Sequence, residues 1–217
     1  MNELVIVLGV VLIAFFLGSI PWGLIISRVF FNTDIREHGS GNIGTTNAMR
    51  SLGKVGGSAV FILDFGKGLL AGFIALGVYT MLSADGANVA ISRDFLLALT
   101  TTGAVFGHIF SPWLHFHGGK GIAVAIGSLF VAFGIPGALI ELAIFGVLVA
   151  LTRYVSLGSI VSAAACPFLS LYFFMGDIPA IVCCAITGGV VVWAHHENIA
   201  RLRQGTERRV GDKKKEA

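Results

Sequence analysis

The chain is organised around a polar segment, residues 39–50, that reads GSGNIGTTNAMR and separates two long apolar runs. Gly39, Gly41 and Gly44 allow the backbone to turn with positive φ and to bring N–H groups close to a ligand. Neutral hydrogen-bonding side chains lie between them, and the segment ends in the guanidinium group of Arg50. We therefore predict that this segment binds an oxyanion.

The glycine spacing also satisfies the dinucleotide-binding pattern G-x-G-x-x-G, and Asp64 lies 20 residues after Gly44. That pattern requires a strand before it and a helix after it inside a soluble βαβ unit. Both flanks here are apolar enough for a membrane, so we reject a dinucleotide site. An ordinary flexible loop is the other alternative to an anion site.

A second polar segment, residues 107–121, reads GHIFSPWLHFHGGKG and ends where another apolar run begins. Its GGKG end opens a helix, so free N–H groups and the positive helix end lie beside Lys120 and favour an anion. It is not a Walker A loop, because no Ser or Thr follows the lysine. His108, His115 and His117 lack acidic or cysteine partners at zinc-ligand spacing, so we do not predict a metal site.

A third polar segment, residues 195–207, reads HHENIARLRQGTE and follows the last apolar run. His195, Asn198 and Arg201 recur at every third position, which places them on one side of a helical extension of that run. A basic stop at a membrane face is the ordinary interpretation of the other arginines and of lysines 213–215. His195 is the candidate for proton transfer.

The composition identifies an integral membrane protein. Hydrophobic residues make up 55% of the 217 residues and charged residues only 12%, whereas soluble domains carry about 25% charged residues. Apolar runs of about 20 residues favour helices over barrel strands of about 10 residues. The cysteines, Cys166, Cys183 and Cys184, lie inside apolar runs, so we predict packing residues and no disulfide. The fold class we predict is all-α.

We predict about seven transmembrane helices in a single polytopic domain, residues 1–217. The first begins without the basic segment of a signal peptide, so it is retained, and Pro21 kinks it. Residues 122–151 are too many for one span, and the turn signal GIPG at residues 134–137 divides them into two short spans. The other spans cover about residues 4–28, 55–82, 95–114, 155–175 and 178–194.

The charge distribution favours seven spans with the N-terminus outside and a basic cytoplasmic tail from about residue 195. A six-span chain would put the tail on the opposite side from the first two polar segments. With seven, the basic side chains fall in the cytoplasm, as the positive-inside rule expects: Arg28, Arg36, Arg50, Lys54, Lys120, Arg153, Arg201, Arg203, Arg208, Arg209 and lysines 213–215. Outside lie Glu3, Asp85, Arg93, Asp94 and Asp177.

Asp64 and Lys67 are the charged pair inside the second predicted span. They are three residues apart, hence on one helix face and able to form an ion pair. Charged groups at membrane depth usually face a polar cavity. An interior pair that holds helices in register explains them equally well, and the sequence leaves both interpretations open.

The three polar segments resemble the signature motifs of the bacterial acyl-phosphate:glycerol-3-phosphate acyltransferase (PlsY) family. Residues 39–50 are similar to its G-S-G-N-x-G-x-T-N stretch with the following arginine, residues 107–121 to its G-H-x-F…G-G-K-G stretch, and residues 195–207 to its H-x-x-N-I-x-R-L-x-x-G-x-E stretch. The resemblance covers nearly the whole chain. His117 departs from it, because members commonly carry lysine there, and we assign it no ligand role.

The resemblance implies transfer of a fatty acyl group from acyl phosphate to the 1-hydroxyl of glycerol 3-phosphate, the first acylation of phospholipid synthesis. It implies the products lysophosphatidate and phosphate, neither coenzyme A nor a metal, an inner-membrane location with a cytoplasmic site, and an enzyme that supplies acyl phosphate. Ser40, Arg50 and Lys120 would hold phosphate oxygens, and His195 and Asn198 would act near the reacting acyl carbon. The other substrate-binding residues it implies are Gly41, Asn42, Thr46, Asn47, Lys67, His108, Gly119, Ser159, Arg201 and Glu207.

The attacking group in such a reaction is the hydroxyl of the substrate, so no acylated enzyme is needed. Acyl phosphate is already activated, and positioning with charge stabilisation supplies much of the rate. The hydroxyl proton passes either to His195 or to the departing phosphate. The sequence leaves both routes open.

The main alternative is a small transporter or channel for an organic phosphate or anion. Broken helices and an intramembrane Lys67 would suit it. Transporters usually show paired repeats with binding groups near the midplane, whereas no internal repeat is evident here and the polar segments fall on one face. A purely structural scaffold would leave the three polar segments unexplained.

Overall fold

The computed structural model describes residues 3–84 and 89–212. Within these ranges the backbone forms α-helices joined by short turns, with no β-strand. Asp85 and lysines 213–215 lie outside the described ranges. The helices are α1 (Glu3–Ser19), α2 (Trp22–Phe31), α3 (Thr45–Ser51), α4 (Gly53–Leu82), α5 (Arg93–Ile109), α6 (Ile122–Ala132), α7 (Gly134–Thr152), α8 (Val155–Phe173), α9 (Ile178–Ala194) and α10 (His196–Arg203).

Five segments are long and apolar enough to cross a membrane: α1 together with α2, α4, α5 with the turn that follows it, α7, and α8. A sixth is added if α9 and α10, which meet at 55°, are taken as one bent span. α6 has only 11 residues, or about 16 Å at 1.5 Å per residue. The all-α membrane fold is confirmed with five to six apolar spans, and the count of seven stays a prediction.

The helix breaks fall where the sequence predicted them. α1 ends at Ser19 and α2 begins at Trp22, because Pro21 between them has no N–H to continue the helix. The long apolar run after residue 121 divides between α6 and α7 at Gly134, whose φ of 69° interrupts the helical path. Local turn chemistry therefore sets both breaks.

Large apolar side chains on the outer helix faces are exposed, as lipid contact requires. Leu8 of α1, Ile62 of α4, Val147 of α7 and Leu171 of α8 are each more than half exposed. Soluble monomers rarely expose so many large apolar side chains together. The outer face of the bundle is therefore the lipid-facing one.

The short helix α6 lies deep in the bundle. Val124 packs against Gly68, which lies 15 residues into α4, or about 22 Å along its axis. At the far end of α6, the ring of Phe133 contacts those of Phe173 and Phe174 at centroid distances of 5.1 Å. The second polar segment must therefore dip into the bundle to reach α6, which carries Lys120 inward with it.

Candidate active site

The three polar segments line one cavity of about 470 Å³, to which each helix from α3 to α10 contributes lining residues. Most of the residues predicted to form the site line this cavity: Ser40, Asn42, Thr46, Asn47, Arg50, His108, Lys120, Ser159, His195, Asn198, Arg201 and Glu207. Gly41, Lys67 and Gly119 are the predicted residues that do not.

Asn47 holds the first polar segment in shape. Its Oδ1 accepts a hydrogen bond from the Ser40 N–H at 2.9 Å, and its Nδ2 donates to the carbonyls of Ile35, His38 and Asn42 at 2.8–3.2 Å. The side chain is only 3% exposed. Because these bonds occupy both ends of the amide, Asn47 contributes to the cavity chiefly by fixing the loop around it.

Two of the three glycines in that loop use positive φ. Gly39 and Gly41 have φ values of 65° and 70°, where a side chain would be strained. Gly44 instead caps α3 with φ of −78°. It therefore does not adopt the positive φ that we predicted a glycine could adopt at this position. The loop turns at Gly39 and Gly41, which brings Ser40 to the cavity wall.

Lys67 is held by three partners inside the bundle. Its Nζ lies 2.8 Å from Asp64 Oδ1, 2.8 Å from the Ile20 carbonyl oxygen and 2.9 Å from His108 Nδ1. The ammonium group donates to Ile20 and His108 and is ion-paired with Asp64. The predicted Asp64–Lys67 pair is confirmed. Asp64 lines the cavity and Lys67 does not, so Lys67 fits the interior interpretation while its partner faces the cavity.

His108 connects this cluster to the second polar segment. Lys67 can only donate, so His108 Nδ1 accepts and Nε2 carries the ring hydrogen. Nε2 points toward Gly119, where a Cβ atom would lie only 2.1 Å from it. The Gly119 N–H in turn donates to the His108 carbonyl at 3.0 Å. A side chain at position 119 would push this loop, and Lys120 with it, out of place.

A hydrogen-bonded chain joins the second and third polar segments. Lys120 Nζ donates to Asn198 Oδ1, Asn198 Nδ2 donates to Glu207 Oε1 at 2.8 Å, and Arg201 Nε donates to Glu207 Oε2 at 2.7 Å. Although burial opposes it, bonding from Arg201 and Asn198 lowers the pKa of Glu207 below its usual value. Asn198 uses both ends of its amide here, so it connects Lys120 to Glu207.

Basic side chains outnumber acidic ones at this end of the cavity. Arg50, Lys120, Arg201 and Arg208 all line it. Burial, with the charge on Arg201 as the next cause, lowers the pKa of Lys120 from its ordinary value. Glu207 offsets only part of this positive charge. A bound anion would relieve the repulsion, so the charge at this end of the cavity favours an anion.

His195 lies between α9 and α10 and is 3% exposed. Its Nδ1 lies 2.7 Å from the Val191 carbonyl oxygen, and since a carbonyl only accepts, Nδ1 carries the ring hydrogen. Burial lowers the pKa of this imidazole to about 4, so the ring is neutral at pH 7. Nε2 therefore keeps a lone pair that is able to accept a proton.

The chain bends at His195, so the predicted helical extension of α9 is a separate helix, α10. Of the two adjacent histidines, only His195 lines the cavity. His196 is exposed, and its ring stacks on Trp193. Asn198 is buried on α10 and Arg201 lines the cavity beside it. Residues 195, 198 and 201, which are three positions apart, therefore all face the cavity despite the bend.

Beyond His195 the cavity continues between apolar walls. Along α9 it is lined by Val191 and then Gly188, and from α6 and α7 by Ile126 and Phe145 among others. Serines at every third position of α8, including Ser159, also face it. The cavity thus has a cationic end and an apolar end, with His195 at the boundary.

Glu141 is a cavity residue that was not predicted from the sequence. It lies on α7, is 3% exposed and lines the apolar part of the cavity. A signal was present, because it is the only charged residue within residues 122–151. Ser156 and Ser162, on the same face of α8 as Ser159, line the cavity as well.

Fold and site together define a class of protein: an integral membrane protein whose interior cavity has a cationic end and an apolar end. The sequence model of the family described as Glycerol-3-phosphate acyltransferase matches residues 8–205. A glycerol-3-phosphate acyltransferase of Thermosynechococcus vestitus is 39% identical over 207 residues, which cover 95% of this chain and 96% of the relative.

Two crystal structures of PlsY, an integral membrane glycerol 3-phosphate acyltransferase, resemble the whole fold. The glycerol 3-phosphate form has a TM-score of 0.80 and 34% identity, covering 94% of this chain and 96% of that one. The lysophosphatidic acid form has a TM-score of 0.77 and 33% identity, covering 94% and 95%. The chain belongs to the glycerol-3-phosphate acyltransferase family, and the predicted family is confirmed.

Proposed function

We propose that this acyltransferase moves a fatty acyl group from acyl phosphate to the 1-hydroxyl of glycerol 3-phosphate. The observation that carries the proposal is the two-part cavity with His195 at its boundary. The cationic end suits a phosphate, the apolar end suits an acyl chain, and the reacting carbonyl would lie where they meet. The related PlsY structures with glycerol 3-phosphate and with lysophosphatidic acid support this substrate and this product.

In the proposed reaction, the substrate hydroxyl oxygen attacks the acyl carbonyl carbon. A new ester C–O bond forms, the C–O bond to phosphate breaks, and inorganic phosphate departs with the electron pair. His195 Nε2 accepts the hydroxyl proton, because Nδ1 is already committed to the Val191 carbonyl. The proton then passes to the departing phosphate or to solvent. The reaction as written needs neither coenzyme A nor a metal.

The charged side chains bind and orient the two phosphates. Arg50 offers a planar fork of donors for phosphate oxygens. Lys120 is held in position by Asn198 and stabilises charge as it develops on the leaving group. Asn198 is therefore a positioning residue in this proposal, because its amide connects Lys120 to Glu207. Ser40, next to the turn formed by Gly39 and Gly41, presents its hydroxyl to the same anion.

The proposal also places the protein in the bacterial inner membrane, with seven spans, the N-terminus outside and the cavity's cationic end in the cytoplasm. Support comes from the basic side chains, which gather at that end. Glycerol 3-phosphate is water-soluble and would enter there, whereas the acyl chain would enter from the bilayer. An enzyme that makes acyl phosphate must supply the donor.

The test is a product assay with purified protein in detergent. Incubation with acyl phosphate and glycerol 3-phosphate should release lysophosphatidate and phosphate in equal amounts, and acyl coenzyme A should not replace the donor. The same protein in sealed vesicles should not exchange labelled glycerol 3-phosphate across the membrane. Exchange without product would favour the transporter alternative and contradict the proposal.

A further inference from the structure

Glu141 is a buried carboxyl group without a visible structural purpose. Its Oε1 is fully buried and has no hydrogen-bond partner in the described part of the structure. α7 is a peripheral helix whose buried residues are only Gly137, Ala138 and Glu141. A buried carboxyl that stabilised the helix packing would bond to a neighbouring helix, and this one does not.

Two other polar side chains that line the apolar end of the cavity, Ser162 and Thr187, already have partners. The Ser162 hydroxyl donates to the Glu141 backbone carbonyl at 3.1 Å. Across the cavity, the Thr187 hydroxyl bonds to Thr102 at 2.8 Å and to the Cys183 carbonyl at 2.9 Å. Thr45, Asp64 and Ser156 also line the cavity and have a buried oxygen without a hydrogen-bond partner in the described part of the structure. Thr45 belongs to the first polar segment, Asp64 is ion-paired with Lys67 and Ser156 lies beside Glu207, so Glu141 is the one of these residues that faces the apolar end.

The carboxyl group lies in the interior of the apolar end. Ser162 adjoins Ala163, whose carbonyl packs against Gly188 of α9. Gly188 precedes His195 by seven residues, or about 10 Å along the helix. An acyl chain that begins at His195 and follows the cavity would thus pass Glu141 partway along its length, well beyond the carbonyl and its phosphate.

We propose that Glu141 forms a polar subsite for acyl chains that carry a hydroxyl group at an interior carbon. This inference rests on the proposed function, because it assigns the apolar end of the cavity to the acyl chain. A hydroxyl group both donates and accepts hydrogen bonds, so it pairs with a carboxyl group in either protonation state. A double bond or methyl branch would leave the carboxyl group unsatisfied, as a plain chain does.

The test compares acyl phosphates of equal length that are plain or carry one hydroxyl group at successive carbons. The kcat/KM ratio of hydroxylated to plain donor in the wild type should peak at one interior position. In Glu141→Leu that ratio should fall at least about tenfold, because the site loses the partner that recognises the hydroxyl. Glu141→Gln, which keeps a donor and an acceptor, should stay within about threefold of wild type.

Leu142→Ala is the matched control, because it enlarges the same cavity wall without changing the carboxyl group. It should alter both kcat/KM values in parallel and leave their ratio unchanged. A ratio that is the same at every hydroxyl position in the wild type, or unchanged in a folded Glu141→Leu, would overturn the subsite. Absence of product from every acyl phosphate would instead overturn the proposed function, so the two failures are distinguishable.

Discussion

At the scale of single residues, the third polar segment shows how two adjacent histidines acquire different chemistry. His195 is buried and bonds through Nδ1 to the Val191 carbonyl, whereas His196 is exposed and stacks on Trp193. The spacing predicted that His195 shares one side of a helix with Asn198 and Arg201. It did not predict the tautomer, because that depends on which carbonyl the folded ring reaches.

We predict that His195 is neutral, with the hydrogen on Nδ1, throughout the working pH range. Burial lowers the pKa of its imidazole to about 4, so Nε2 becomes protonated and stops accepting a proton only as the pH falls through about 4. NMR of protein labelled in its histidine side chains checks this by titration, with His195→Asn assigning the signal and His196 as the exposed reference. A His195 ring that titrates near the ordinary value of about 6.5, or that carries its hydrogen on Nε2, would contradict the assignment.

At the scale of helices, the breaks were predictable and the depth of α6 was not. Pro21 and Gly134 change the backbone conformation of the residues next to them, so both helix breaks can be predicted from the local sequence. α6 is short because the second polar segment enters the bundle, where Val124 packs on Gly68. That contact joins residues 56 positions apart, which no periodicity reveals. Two of the three partners of Lys67 are also distant in the sequence, so the sequence could not decide whether Lys67 binds substrate or forms an ion pair inside the bundle.

We predict that Lys67→Met lowers the free energy of unfolding by about 3–5 kcal/mol, because it leaves Asp64 as an uncompensated buried charge. Removing both charges, as in Asp64→Leu with Lys67→Met, should cost less than the single change. Reversible unfolding in detergent micelles measures both. If Lys67 instead contacted substrate, Lys67→Met would keep its stability and lose mainly kcat/KM, and that result would refute the interior role.

At the scale of the whole molecule, three segments separated by more than 50 residues converge on one cavity. The sequence predicted the convergence from shared chemistry and from charge on one membrane face. It did not predict a role for Glu141, because this acidic residue has no oppositely charged or polar residue near it in the sequence that would indicate a shared site. The cavity's apolar end is a product of tertiary packing, so only the structure shows that it continues from the cationic end.

The predicted orientation is testable by labelling single cysteines in a variant without Cys166, Cys183 and Cys184. Cysteine in place of Lys54 or Gln204 should react from the cytoplasmic side, and cysteine in place of Ala90 from outside, because the basic residues gather at the cavity end. All three positions are exposed. Labelling of the Lys54 and Gln204 positions from opposite sides would contradict the seven-span topology.

The central claim is that one cavity, built from all three polar segments, performs the acyl transfer. The most direct measurement is the rate of lysophosphatidate formation by variants that remove one side chain from each segment: Arg50→Ala, Lys120→Ala and His195→Ala. Each has a control of the same residue type outside the cavity lining: Arg36→Ala, Lys54→Ala and His196→Ala.

Each of the three cavity variants should lose at least about a hundredfold in kcat/KM, the scale of losing a preorganised charge or a proton-transfer group. Each control should stay within about threefold of wild type, since surface charges contribute little. A cavity variant from any one segment that folds and keeps near-normal kcat/KM, or a control that loses as much as its partner, would contradict the single shared site.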